Sequence, residues 1–250
     1  MKVTLMLLVC SLVAGAASAQ CPPTPPFAYT GFMEPDQWEY LAGSGACGRG
    51  TRQSPITLHP EPGPGNAVRV LWSSQRAIVK NSSYDFRVAA SGSVIYEGTT
   101  YYLTNFHFHA PAEHVLGDTH FAAEAHFVHE TATNPKQILV ITFLFDDKSA
   151  PDARFRPVFD ALSPDLCQEK SNGQSIDLRE LLPESVVRYI TYEGSLTTPP
   201  CTENVRFVII PEPLGISVDD VRKLNVFGDN NRPLQDAKGR EVKLVNAVQR

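Results

Sequence analysis

The sequence predicts one mainly β (α+β) domain built on a large sheet, with short helices at its margin. Three observations carry that expectation. Strand-like apolar runs follow one another along the chain, whereas helical patterns are few and short. The 16 glycines and 20 prolines among 250 residues suit a loop-rich β protein better than a helix bundle. The hydrophobic fraction of 42% is enough for a real core, and no repeat or linker divides the chain.

The first nineteen residues read as a secretion signal. Lys2 gives a short positive start, Val3 to Ala14 is apolar, and Ala17-Ser18-Ala19 is a small-x-small cleavage site. Gln20 precedes Cys21, where a lipoprotein signal would carry a small residue. Full secretion, extracellular or periplasmic, is therefore expected rather than a membrane anchor. Cleavage after Ala19 leaves residues 20–250 as the single domain. It removes Lys2 and Cys10, which takes the formal net charge from −5 to −6 and leaves four cysteines. Past this start no apolar run reaches the ~18 residues of a spanning helix. The mildly acidic balance and the lack of a basic block argue against a nucleic-acid partner.

Residues 20–37 are Pro-rich and read as extended, and 60–66 (Pro-Glu-Pro-Gly-Pro-Gly-Asn) as a loop. Strands are predicted at 68–72, 77–80, 84–89, 101–109, 121–128, 138–145, 187–192 and 205–210. Short helices are predicted at 152–162 and 217–224, with Asp152 and Ser217 as N-caps. Cys21, Cys47, Cys167 and Cys201 allow three disulfide pairings in an exported chain, or buried free thiols. None forms a Cys-x-x-Cys, which argues against a thiolate zinc site.

The chemistry concentrates in the histidines. Six of the seven fall between residues 107 and 129. Side chains on a strand alternate between faces. From Leu103 to His109, the residues Leu103, Asn105, His107 and His109 share one face, and Thr104, Phe106 and Phe108 the other. The Phe face is the natural core face, so the two His project together, one repeat of ~7 Å apart. From Phe121 to Val128, Glu124 and His126 point opposite the apolar Phe121, Ala123, Ala125 and Phe127. If the two strands are neighbours, His126 completes a His₃ set. Three imidazoles with an open fourth position make a catalytic zinc pattern. Asn105 and Glu124 are placed to hold the ligating rings. The plainer alternative is a row of hydrogen-bonded strand histidines, but His-x-His plus Glu-x-His on patterned strands favours the metal.

Other constellations carry less. There is no Gly-x-Ser-x-Gly elbow and no His-Glu-x-x-His helix. Asn81-Ser82-Ser83 is a glycosylation sequon only on a eukaryotic secretory route.

Several segments together resemble the α-class carbonic anhydrases. They are Phe106-His107-Phe108-His109, Glu113-His114, Glu124-Ala125-His126-Phe127-Val128-His129, Tyr192 to Cys201 with its Thr197-Thr198-Pro199-Pro200 run, Gln53-Ser54-Pro55-Ile56, Trp38-Glu39-Tyr40 and Asn230-Asn231-Arg232-Pro233. The resemblance covers nearly the whole mature chain. It implies a large, twisted, mostly antiparallel central sheet with zinc at the base of a conical cavity. It also implies reversible hydration of carbon dioxide to bicarbonate and a proton by zinc-bound hydroxide, with ester cleavage as a side reaction and inhibition by sulfonamides and anions.

By resemblance His107, His109 and His126 are the zinc ligands. Thr197 and Glu113 orient the attacking hydroxide, and Thr198 contacts bicarbonate. Leu196, Val128, Leu139 and Phe207 match the apolar wall where carbon dioxide docks, Phe207 standing where Trp is usual. Asn105 stands where Gln is usual. Cys47 and Cys201 match the disulfide of extracellular members, which leaves Cys21 and Cys167 as a second pair or as two free thiols. Tyr84 takes the place of the usual proton-shuttle His, which puts fast proton export in doubt. A non-catalytic binding or matrix protein on the same fold is the competing expectation. Members of that kind usually lack a zinc His, and this chain keeps all three.

Overall fold

The computed structural model describes residues 26–147 and 149–247. The predicted signal segment, its cleavage site and Cys21 lie outside them. Among the described residues, thirteen strands make one sheet. In chain order they are β1 (Glu61–Gly63), β2 (Val68–Trp72), β3 (Val79–Asn81), β4 (Phe86–Ala89), β5 (Gly92–Tyr96), β6 (Thr99–His109) and β7 (Ala123–Glu130). There follow β8 (Ile138–Asp146), β9 (Glu169–Lys170), β10 (Ser185–Val186), β11 (Arg188–Ser195), β12 (Glu203–Gly215) and β13 (Lys243–Asn246). Across the sheet the order is β9-β3-β4-β6-β7-β8-β12-β11-β13-β1, and a branch β10-β2-β5 pairs onto β6. All pairs are antiparallel except β8 with β12 and β13 with β1. The longest α-helix among the described residues is Val218–Leu224, capped by Ser217 as expected. The predicted helix at 152–162 is shorter: a 3₁₀ turn, Ala153–Phe155, capped by Asp152, runs into Arg156–Phe159.

The sheet has two dressed faces. On one, Phe106 and Phe108 of β6, Ala123, Ala125 and Phe127 of β7, and Leu139, Ile141, Phe143 and Phe145 of β8 enter the larger core. On the other, Val140 and Leu144 of β8, Val205, Phe207 and Ile209 of β12, and Tyr192 of β11 make a second cluster. The alternation predicted from sequence holds along β6 from Asn105 and along β7 from Ala123, whereas Phe121, just before β7, joins the second cluster.

Three expectations are corrected by local geometry. Residues 20–37 are not extended throughout, because Gly31–Met33 and Pro35–Tyr40 are 3₁₀ turns, the second opened by Pro35. Leu103 does not share the His face. The register shifts between Val128 and His129, so that Val128 pairs with Asn105 and His129 with Leu103. This bulge reverses the parity upstream of Asn105, and Leu103 joins the larger core. Residues 60–66 are not wholly loop, because Glu61–Gly63 pairs with β13 at the sheet edge, where Pro62 needs to supply no donor.

Asn81 is buried and its Nδ2 donates to the Ser163 carbonyl, so the sequon is closed off in the folded protein. Cys47 and Cys201 are bonded as a disulfide. Cys167 is also disulfide-bonded. No helix among the described residues is long and apolar enough to cross a membrane.

Candidate metal centre and its cleft

β6 and β7 are neighbours, and His107 pairs directly with His126, while His109 pairs with Glu124. The three ligand nitrogens of His107, His109 and His126 lie within 4.8 Å of one another. All three residues are buried. Each ring is held through its other nitrogen. His107 Nδ1 meets the Asn105 side-chain oxygen at 3.1 Å, and His109 Nδ1 meets the Asn230 carbonyl at 2.7 Å. His126 Nε2 meets Glu124 Oε1 at 2.6 Å. Each acceptor is an oxygen, so each of these nitrogens carries the hydrogen. That leaves His107 Nε2, His109 Nε2 and His126 Nδ1 bare and acceptor-only. His109 Nε2 is buried with no hydrogen-bond partner.

Glu124 anchors the centre. Its Oε2 accepts from the Glu113 and His114 amides, and its Oε1 from His114 Nδ1 and His126 Nε2. Burial alone would raise its pKa, but His114 and His126 outweigh burial and hold the carboxyl well below the usual range. His114 passes the network on through Nε2 to Tyr192 Oη, which meets Ser54 Oγ at 2.7 Å. His114, Glu124 and His126 form a second cluster of possible metal donors, but their hydrogen bonds to one another already use these atoms.

The environment pushes two of the rings toward the neutral form and the third the other way. Burial, with Arg87 and the other two rings, pushes His107 well below the usual imidazole range. Burial also lowers His109, against the pull of Glu113. For His126 burial is outweighed by Glu124, and its pKa rises.

Glu113 Oε1 accepts from the Arg232 amide. Its Oε2 is buried without a hydrogen-bond partner, 3.5 Å from His109 Nε2 and 3.9 Å from His126 Nδ1. The Thr197 hydroxyl therefore makes no bond to that oxygen in this structure. Thr197 is itself buried, on the loop that the Cys47–Cys201 disulfide pins at Cys201. The Cys201 amide donates to the Thr198 carbonyl at 2.9 Å, which tightens the same loop.

A cleft of ≈ 800 Å³ opens onto His107. Asn105, Val128, Leu196, Thr198 and Tyr84 line it, as does Arg87. Phe207 sits behind that lining, fully buried, stacked on Tyr192 with ring centroids 4.9 Å apart and edge-on to His126 at 5.9 Å. Leu139 is the misplaced residue. It faces the larger core on the opposite side of β8, and parity gives the site side to Ile138, which lines the cleft, and Val140, which pairs with Val128.

The family model for Eukaryotic-type carbonic anhydrase matches residues 33–246. The chain belongs to the α-class carbonic anhydrase family. A carbonic anhydrase of Neisseria gonorrhoeae is 30% identical over 244 residues, covering 95% of this chain and 94% of that protein. The structure of α-carbonic anhydrase from Thermovibrio ammonificans with sulfanilamide superposes at TM-score 0.80 with 33% identity, over 87% of this chain and 98% of that one. Dioscorin complexed with ascorbate shares the fold at TM-score 0.77 and 27% identity, over 90% and 99%. Carbonic anhydrase architecture thus accounts for the whole described sheet.

Sequence reasoning missed the parts that hold the ligands from a distance. Asn230 accepts from His109 through its carbonyl and from the Ala110 amide through Oδ1, and its Nδ2 donates to the Tyr84 and Phe108 carbonyls. Its place in the Asn-Asn-Arg-Pro segment was the available signal. His114 was legible only as part of the Glu113-His114 pair.

Proposed function

We propose that this chain catalyses the reversible hydration of carbon dioxide with one zinc ion held by His107, His109 and His126. The observation that carries this is the set of three bare, buried imidazole nitrogens within 4.8 Å of one another, each ring oriented by a hydrogen bond on its far side. The buried His109 Nε2 has no hydrogen-bond partner, and a cation would supply one. Three imidazole nitrogens with no thiolate fit zinc with a free coordination position. Zinc in such a site acts as a Lewis acid and brings the pKa of bound water to about 7, carbonic anhydrase being the known case of that effect.

The chain's own residues do the rest. Glu113 Oε2 is a buried acceptor awaiting a donor, and the Thr197 hydroxyl is the donor assigned to it. With that bond made, the threonine oxygen accepts from the attacking water and aims its lone pair at the carbon. Val128, Leu196, Ile138 and Val140 offer the apolar surface on which carbon dioxide rests, and Phe207 backs it. The water oxygen bonds to carbon, bicarbonate leaves past Thr198, and one proton leaves by the cleft. Activated esters fit the same centre, so esterase activity is a side reaction, and aromatic sulfonamides inhibit by competing for the metal.

The mature protein is read as residues 20–250, secreted; the Cys47–Cys201 disulfide supports an oxidising compartment. The test is metal content together with hydration rate in His107→Ala, His109→Ala and His126→Ala. Wild type should carry one zinc per chain and each variant should lose both metal and activity. Full hydration after His126→Ala would overturn the assignment.

A further inference from the structure

β4 lies against β6 with Arg87 directly opposite His107. Phe86 and Val88 of β4 enter the larger core, so alternation turns Arg87 to the His107 side, and it lines the cleft. Its side chain is 36% exposed, whereas that of Asp85, its partner, is 3% exposed. A molecule in the cleft therefore meets the guanidinium rather than the carboxylate behind it.

An arginine carries five N–H donors in a rigid fork. Asp85 Oδ2 takes one from Nη2 at 2.6 Å, and Nε is buried with no partner. The Asp85 bond fixes the fork while leaving donors unspent. The other charged residue on the cleft lining is Glu130, and it is ion-paired with Lys136. Val128, Ile138 and Leu196 give the same cleft an apolar side. The cleft thus has one apolar wall and one wall with an underused cation, in a half-buried place where water screens charge poorly.

We propose that Arg87 makes a subsite for a carboxylate carried by a small organic ligand whose other end reaches the His₃ centre. The Arg87 fork donates to the carboxylate and fixes the ligand's orientation against the apolar wall. Arg87 is a specificity-determining residue in this account and takes no part in proton or bond transfer. The inference rests on the metal-centre reading, because the other end of the ligand is anchored there.

The test is calorimetric titration of the zinc-loaded protein with two probes, benzenesulfonamide and 4-carboxybenzenesulfonamide. In Arg87→Gln the carboxylated probe should bind about tenfold more weakly, while the neutral probe changes less than twofold. Arg87→Lys should recover most of the loss, which separates the charge from a general disturbance of β4. Raising the salt concentration should weaken the carboxylated probe alone in wild type. Equal changes for both probes in Arg87→Gln, or none, overturn the subsite. Failure of the neutral probe to bind wild type overturns the metal-centre reading beneath it and the subsite with it.

Discussion

Acidification from pH 7.5 to pH 5 should cost this protein about 2 kcal/mol of folding stability through His129 alone. His129 is fully buried on the core side of β7, stacked on Trp72. Its Nδ1 donates to the Phe127 carbonyl and its Nε2 accepts from Trp72 Nε1 at 3.1 Å. Both nitrogens are committed to the neutral ring, and a second proton would face the indole N–H. Burial, opposed by hydrogen bonds to the Phe127 and Leu139 backbones, lowers the pKa to about 4. The unfolded chain titrates near 6.5. Between those values the unfolded state binds more protons than the folded one. The contribution is therefore intact above about pH 6.5 and is lost as pH falls toward 4, reaching about 3 kcal/mol in full at about 1.4 kcal/mol per pKa unit. Urea denaturation of metal-free wild type and His129→Gln at pH 7.5, 6 and 5 reads the effect as a difference between slopes, which cancels the other histidines. Wild type should lose about 2 kcal/mol more than the variant. Parallel pH profiles would refute the reasoning.

Two further outcomes concern the site. Glu124→Gln puts an amide NH₂ against groups that all donate, and should weaken zinc affinity by about 10- to 100-fold in a chelator competition. Tyr84→His should raise kcat on the order of tenfold at low buffer and weaken its dependence on imidazole-type buffers. Burial, with Asp85, raises the Tyr84 phenol, against Arg87, so the native side chain does not accept a proton near neutral pH, and His107 is the single His on the cleft lining. An unchanged kcat at every buffer concentration would place the bottleneck elsewhere.

The His set was legible because side chains alternate along a strand, and four Phe and two Ala on the opposite faces marked which side was core. Glu124 beside His126 followed from the same alternation, and Cys47–Cys201 from segments that match a family pattern. Leu103 escaped because a bulge at Val128/His129 reverses parity and leaves no local sign in composition. Leu139 escaped for a different reason. The whole of β8 is apolar on both faces, so its pattern does not say which side a residue takes, and only pairing with β7 does. β1 and β13 were invisible as strands because each is an edge or near-edge segment whose partner lies far along the chain. Asn230 holds His109 from 121 residues away, a distance across which no spacing rule operates.

Hydration of carbon dioxide by this protein is proposed to depend on a zinc held by His107, His109 and His126. The most direct measurement is stopped-flow carbon dioxide hydration by the purified protein as isolated, after stripping with a chelator, and after return of one equivalent of zinc. Activity is expected as isolated, with loss on stripping while the fold is retained and recovery at one zinc per chain. Hydration that survives complete removal of the metal, or a stripped protein that zinc fails to restore, would contradict that dependence.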